Sequence, residues 1–133
     1  MMRHIKRLLG NKGLLLILAV LYSCAITVLF FISTSGLPRI RFSSIDKVVH
    51  TTIFFLLVCI WQLYTLQKND GQLSWRKSFR ILLWSLFYGI LIEVFQELFT
   101  AARSADVLDV MANLVGSLIG IVFFQKIKHI FTV

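Results

Sequence analysis

The sequence predicts an all-α integral membrane protein, a bundle of four transmembrane helices with both termini on the cytoplasmic side. Hydrophobic residues make up 58% of the 133 residues and charged residues only 15%, against roughly 45–50% and about 25% in a soluble domain. The apolar residues form four blocks, each close to the roughly 20 residues that a membrane-spanning helix needs. We expect a single domain over residues 1–133, because this length leaves no room for a separate soluble domain.

The four predicted spans cover residues 13–33, 48–66, 81–99 and 107–125. Basic residues precede the first span, but its apolar run exceeds the roughly 7–15 residues of a signal peptide, so we expect a retained helix. The third and fourth spans carry polar residues in the halves nearest their shared connection. They remain predicted spans because residues 81–84 and 119–124 are strongly apolar. Asp70-Gly71 predicts a turn between the second and third spans.

The distribution of Lys and Arg predicts the orientation. The N-terminal segment, the connection between spans two and three and the C-terminal segment hold ten of the 14 basic residues. The opposite side holds Arg39, Arg41, Lys47 and Arg103. The positive-inside rule therefore places both termini in the cytoplasm. The net charge of +8 is explained by this topology, and we expect the lipid bilayer and no nucleic acid as a partner, because no RNA-binding aromatic motif or basic helix is present.

Polar residues gather where this topology places the outer face. Five of the six acidic residues lie there, namely Asp46, Glu93, Glu97, Asp106 and Asp109. At the same level lie His50, Lys47, Gln96, Arg103 and Asn113. Glu93, Gln96 and Glu97 are spaced i, i+3 and i+4, so we expect them to share one helix face. Because carboxylates are costly in hydrocarbon, the pattern predicts a polar pocket open to the outer side.

The fourth span carries one inward-facing stripe of polar and small residues. Asp106, Asp109, Asn113, Gly116 and Gly120 follow one another at spacings of three and four. Ala112, Gly116 and Gly120 form a ridge of small residues that permits close helix contact. Asp46 precedes the second predicted span, where its carboxylate is also expected to act as an N-terminal cap.

Three motifs resemble the VanZ-like family of small bacterial membrane proteins, which is named for a member associated with teicoplanin resistance. They run from Asp46 to His50, from Glu93 to Gln96 and from Arg103 to Gly120. Phe54 departs from the family pattern, since members often carry Tyr there. The resemblance implies a bacterial cell-envelope protein of the plasma membrane. It supplies no reaction, so we leave open whether the protein is an enzyme.

We interpret the polar residues as a pocket that binds or modifies an envelope-related molecule, either lipid-linked or glycopeptide-related. The candidate catalytic residues are His50, Glu93 and Asp109, with His50 as the best general acid or base. Lys47 and Arg103 are expected to hold an anionic group of the ligand. The candidate ligand-binding residues are Asp46, Lys47, Gln96, Glu97, Arg103, Asp106 and Asn113.

Other interpretations remain open. The polar residues could only hold the bundle together, with the protein acting through a partner, or Glu93 could titrate in a small proton- or ion-coupled transporter. The inner halves of the spans hold no acid or His to continue an ion path. No metal or cofactor is expected, although His50 with carboxylates can ligate zinc or manganese, because His4 and His129 lie on the other side. Both a monomer and a homo-oligomer fit the sequence.

Overall fold

Helices make up almost all of the protein in a computed structural model, which describes residues 1–32, 43–99 and 105–132. The helices are α1 (Met2–Leu9), α2 (Lys12–Phe31), α3 (Ser43–Lys68), α4 (Trp75–Phe99) and α5 (Val107–Ile127), with a short 3₁₀ turn at Lys128–Ile130. No β-strand occurs in the described ranges. Helices α2 to α5 are each long and apolar enough to cross a membrane. The predicted all-α fold with four transmembrane helices is therefore confirmed.

Two helices begin earlier than the apolar blocks predict. Helix α3 begins at Ser43 and α4 at Trp75, whereas the predicted spans begin at residues 48 and 81. The polar residues ahead of each apolar block continue the helix beyond it, because backbone hydrogen bonding does not stop where hydropathy falls. Asp46 therefore lies in the first turn of α3, and its predicted role as the N-terminal cap is wrong. A carboxylate in the first turn still interacts favourably with the helix dipole.

Helices α3 and α5 touch each other backbone to backbone. A Cβ atom added to Gly116 would lie 2.8 Å from the carbonyl carbon of Thr51, and one added to Gly120 would lie 2.9 Å from the carbonyl oxygen of Phe55. The Thr51 hydroxyl, which donates to the Lys47 carbonyl at 2.8 Å, also lies 3.3 Å from the Ala112 carbonyl oxygen. Only residues without a side chain permit this approach, so the predicted close contact along the small-residue ridge is confirmed.

The apolar core of the bundle lies between α2, α3 and α4. It contains Ile26, Phe30, Phe54, Leu57 and Ile92, each at most 6% exposed. Phe54, which stands where the resemblance led us to expect a hydroxyl group, is completely buried here. Phe30 of this core packs against the ring of His50, so the core lies next to the polar residues of α3.

The two ends of the bundle differ in their composition. At one end, Lys12 at the start of α2 pairs with Asp70 at 2.8 Å, and Gln67 donates to the carbonyl of Phe131 at 2.7 Å. Asp70 and Gly71 have φ angles of 51° and 81°, which confirms the predicted turn. We call this the Lys68 end, since α3 finishes there. The opposite end, where α3 and α5 begin and α4 finishes, is the His50 end.

Candidate functional site

Three helices bring ionisable side chains together at the His50 end. Lys47 and His50 come from the first turns of α3, Glu93 from the last turns of α4, and Asp106 and Asp109 from the start of α5. His50 is 1% exposed, Glu93 4% and Asp109 8%. Burial of this kind is costly in an apolar medium unless the groups find polar partners.

Lys47 joins α3 to α5 through two carboxylates. Its ammonium group donates a hydrogen bond of 2.7 Å to Asp106 Oδ2 and another to Asp109 Oδ1. Asp106 also caps α5, because its Oδ1 accepts from the Leu108 amide at 2.8 Å. The Lys47 ammonium and the Leu108 amide together hold the pKa of Asp106 below its ordinary value. The charge of Lys47 is thus already balanced by the protein, which disfavours the prediction that it holds an anionic ligand by itself.

The imidazole of His50 is fixed from two sides. Its Nδ1 lies 3.0 Å from Asn113 Oδ1, and the ring packs against Phe30 with 4.8 Å between the centroids. Because an amide oxygen only accepts, Nδ1 carries the proton. The other ring nitrogen, Nε2, faces Asp109 Oδ2 at 3.8 Å. The arrangement presents Nε2 and the Asp109 carboxylate to the same small volume.

Helix α4 contributes two buried polar residues with different partners. Glu93 Oε2 accepts from the backbone amide of Asp106 at 3.3 Å, which joins the end of α4 to the start of α5. Gln96 donates to the Phe30 carbonyl at 2.7 Å, which joins α4 to the last turn of α2. Glu93 therefore belongs to the ionisable cluster at the start of α5, whereas the Gln96 amide binds the backbone of α2.

The structure brings together most of the residues predicted from the sequence, but not all of them. Gathered at the His50 end are Asp46, Lys47, His50, Glu93, Asp106, Asp109 and Asn113. Glu97 is exposed although its spacing places it near Glu93, whereas the neighbouring Gln96 is buried. Arg103, Arg39 and Arg41 lie outside the described residues. The catalytic and binding roles assigned to these residues remain predictions.

A second polar network, which the sequence analysis missed, lies toward the Lys68 end. Ser78 donates to Gln62 Oε1 at 2.9 Å, and Gln125 donates to Ser78 Oγ at 2.7 Å. Lys128 donates to Gln125 Oε1 at 2.8 Å, and Gln62 donates to the Gly120 carbonyl at 3.2 Å. The signal in the sequence was the isolated glutamines within apolar blocks, which a search for acids and histidines passes over. Since each of these groups has partners, we interpret the network as structural.

A cavity of about 360 Å³ lies between α2, α3 and α4, separate from the ionisable cluster. Its lining consists of Ser23, Leu57, Val58, Trp61, Ile81, Trp84, Ser85 and Tyr88. The polar groups of its lining are already used within the protein, since Trp61 Nε1 donates to Ser23 Oγ at 3.2 Å and the Tyr88 hydroxyl donates to the Ser23 carbonyl at 2.8 Å. The cavity therefore offers mainly apolar surface at a depth where the chain spans the membrane.

Four membrane-spanning helices with a buried cluster of His, Asp, Glu, Lys and Asn at one end define a class of small multi-pass membrane protein. The family model described as VanZ/LLP1 matches residues 2–129, nearly the whole chain. The chain therefore belongs to the VanZ/LLP1 family, and the resemblance inferred from the motifs is confirmed. Neither a curated protein nor a solved structure matches the chain.

Proposed function

We propose that the protein acts in the bacterial plasma membrane, where its His50 end binds or modifies an envelope-related molecule at the extracytoplasmic side. The observation that supports this proposal is the meeting of His50, Glu93, Asp109 and Asn113 at one end of the bundle, all at most 8% exposed. Ionisable groups at membrane depth are costly and usually mark a functional site.

The orientation in this proposal is supported by the basic residues. Ten of the 14 Lys and Arg residues belong to the segments that lead to or form the Lys68 end. The contacts of Lys12 with Asp70 and of Gln67 with Phe131 place those segments side by side. Under the positive-inside rule this end faces the cytoplasm, so the His50 end faces outward.

The chemistry of the cluster favours a ligand rich in hydroxyl, amine or amide groups. Within the described residues, Asp106 and Asp109 share the Lys47 ammonium, and His50 and Glu93 add further buried polar atoms. Carboxylates accept hydrogen bonds from such donors. Glycopeptides and sugar-containing lipid intermediates both carry these groups. The association of the VanZ-like family with teicoplanin resistance agrees with a glycopeptide-related ligand.

The apolar cavity supports the lipid-linked form of the ligand. It begins at Leu57, which lies about 10 Å further along α3 than His50 at 1.5 Å per residue. A lipid-linked ligand would thus place its head group at the His50 end and its hydrocarbon chain in the neighbouring cavity. Its volume of about 360 Å³ is within the range of roughly 300–1,000 Å³ of small-molecule sites, which are mostly apolar.

A susceptibility assay with matched variants tests this proposal. We would express the wild type, Asp109→Asn, His50→Gln and Glu93→Gln in a teicoplanin-susceptible bacterium at equal membrane abundance. Asp70→Asn makes the same chemical change as Asp109→Asn at the opposite, exposed end and serves as the control. We expect the wild type and the control to lower teicoplanin susceptibility and the three site variants to lose this effect. Retention of the effect in all three would contradict the proposal.

A structural role is the second candidate, and the Lys47 ion pairs favour it. Lys47 with Asp106 and Asp109, and His50 with Asn113, connect α3 to α5 directly. Removing one partner of a fully buried ion pair costs about 3–5 kcal/mol, and the partly exposed Lys47 pairs should cost less. Thermal unfolding of the same purified variants separates the candidates. Inactive variants that unfold at the wild-type temperature would argue for the binding site, and inactive variants that are much less stable would argue for the structural role.

A further inference from the structure

We infer that the His50 end binds one divalent metal ion through Asp46, His50 and Asp109. One donor atom from each of these side chains lies within 4.8 Å of the other two. Asp46 and His50 are at i and i+4 on α3, so they share a face, and Asp109 approaches from α5. The ligand set thus comes from two helices whose contact is fixed by the glycine ridge.

The surroundings of His50 are those of a metal-ligating histidine. Its Nδ1 lies 3.0 Å from the acceptor Asn113 Oδ1, so the neutral ring with its proton on Nδ1 presents the lone pair of Nε2. Histidines that bind metals almost always donate their other ring N–H to such an outer partner. The ring is 1% exposed and packs against Phe30. This packing directs Nε2 toward Asp109, so small side-chain adjustments suffice for coordination.

The distance between Nε2 and Asp109 Oδ2 also favours an ion between them. At 3.8 Å it is too long for a hydrogen bond. An ion with ligand bonds of about 2.0–2.2 Å spans facing donors at separations of roughly 3–4 Å. Lys47 occupies the other oxygen of this carboxylate, Asp109 Oδ1, so Oδ2 remains directed at His50. One carboxylate thereby serves the ammonium group and the metal ion at the same time.

The charge of the cluster favours a cation as well. Among the described residues around the site, the carboxylates of Asp46, Asp106 and Asp109 are accompanied by the ammonium group of Lys47. A divalent ion reduces this negative charge. One imidazole and two carboxylates are ligands that zinc and manganese accept. Three protein ligands leave a coordination position for a water molecule or a ligand oxygen.

Metal binding at these residues does not depend on the proposed function. Only the role assigned to the bound ion rests on it. Lys47 is already paired, so the bound ion would supply the positive charge that holds a phosphate or carboxylate group of an envelope ligand. Metal binding itself is measured without that ligand. The two proposals can therefore fail separately.

The test is metal binding by the full-length protein purified in detergent. The protein is stripped with a chelator, equilibrated with Zn²⁺ or Mn²⁺ and dialysed. Elemental analysis gives the metal content, and titration calorimetry gives the affinity. The variants are Asp46→Asn, Asp109→Asn, His50→Gln and Asn113→Ala, with Asp70→Asn as the control. Asp46 is only partly buried, so its variant has the least reason to misfold, and thermal unfolding shows which variants are folded.

We expect one equivalent of one of the two metals in the wild type and in Asp70→Asn. Each ligand variant should lose affinity by at least tenfold, and Asn113→Ala by about 10–100-fold, the usual effect of losing an outer partner. Asn113 acts as a positioning residue, so its variant should keep the stoichiometry. The inference is overturned if the wild type binds no more metal than folded Asp46→Asn. Metal binding with unchanged antibiotic susceptibility in all ligand variants would instead overturn the proposed function and leave the metal site standing.

Discussion

Gly116→Ala should destabilise the protein and separate α3 from α5. The added Cβ atom would lie 2.8 Å and 2.9 Å from the carbonyl carbon and Cα of Thr51. Since these are backbone atoms, no side-chain rotation relieves the overlap. The Thr51 carbonyl oxygen would lie closer still, so ordinary van der Waals contact requires the helices to move apart by about 1 Å or more. Overpacking of this kind costs about 1–3 kcal/mol, and the contact of 3.3 Å between the Thr51 hydroxyl and the Ala112 carbonyl oxygen would lengthen as well.

Thermal or denaturant unfolding of the purified protein in one detergent measures this effect. Gly13→Ala is the matched control, because its Cβ atom would meet only Asn11 Oδ1 at 3.5 Å, which is an ordinary contact. We expect the control to be neutral or slightly stabilising, since Ala favours a helix more than Gly does. Equal stability of Gly116→Ala and wild type would refute the backbone contact between α3 and α5 and, with it, the geometry of the His50 end.

Two further predictions concern opposite ends of the bundle. The pKa of Asp106 is lowered from 3.8 mainly by the hydrogen bond from Lys47. The ionised carboxylate therefore stabilises the folded protein above pH 3.8, and this stabilisation is lost as the pH falls through the lower pKa of the folded state. Asp106→Asn, which keeps a good capping residue, should therefore flatten the acid limb of the melting temperature plotted against pH, and an unchanged profile would contradict this. At the Lys68 end, Gln125→Leu removes the hydrogen bonds that Gln125 makes with Ser78, Leu73 and Lys128. It should lower the free energy of unfolding by about 1–3 kcal/mol, because each such bond contributes about 0.5–1.5 kcal/mol. A variant as stable as wild type would show that these bonds carry no net stability.

The sequence predicts the spans of this protein well because hydropathy is a property of local composition. Each of the four blocks corresponds to one long helix, and the Asp70-Gly71 turn follows from residues that tolerate positive φ. Helix starts are less well predicted. The polar residues before residues 48 and 81 lie outside the apolar blocks, yet they belong to α3 and α4.

The sequence predicts the depth at which the polar residues of the site lie, but not which of their side chains pair with each other. The predicted span topology places His50, Glu93 and Asp109 at one level, and the structure gathers them there. It does not reveal that Lys47 binds Asp106 and Asp109, since pairing depends on how the helices are rotated against each other. Glu97 shows the same limit, because its spacing suits the site whereas its side chain is exposed.

The glutamine and serine residues of the polar network at the Lys68 end were missed for a chemical reason. Gln62, Ser78 and Gln125 carry no charge, so they do not stand out as functional groups in an apolar block. Their hydrogen bonds join residues far apart in the chain, and only the packed bundle brings them together. A Gln isolated among apolar residues is nevertheless a signal, because a buried amide needs a partner.

The coupling free energy between Lys47 and Asp109 tests most directly whether groups from separate helices meet at the His50 end. It is obtained from the unfolding free energies of wild type, Lys47→Gln, Asp109→Asn and the double variant. Direct contact through a charge-assisted hydrogen bond predicts a coupling of about 0.5–3 kcal/mol. Single-variant effects that add up to the double-variant effect within about 0.3–0.5 kcal/mol would mean that the two side chains do not meet, and the proposed site would then have no structural basis.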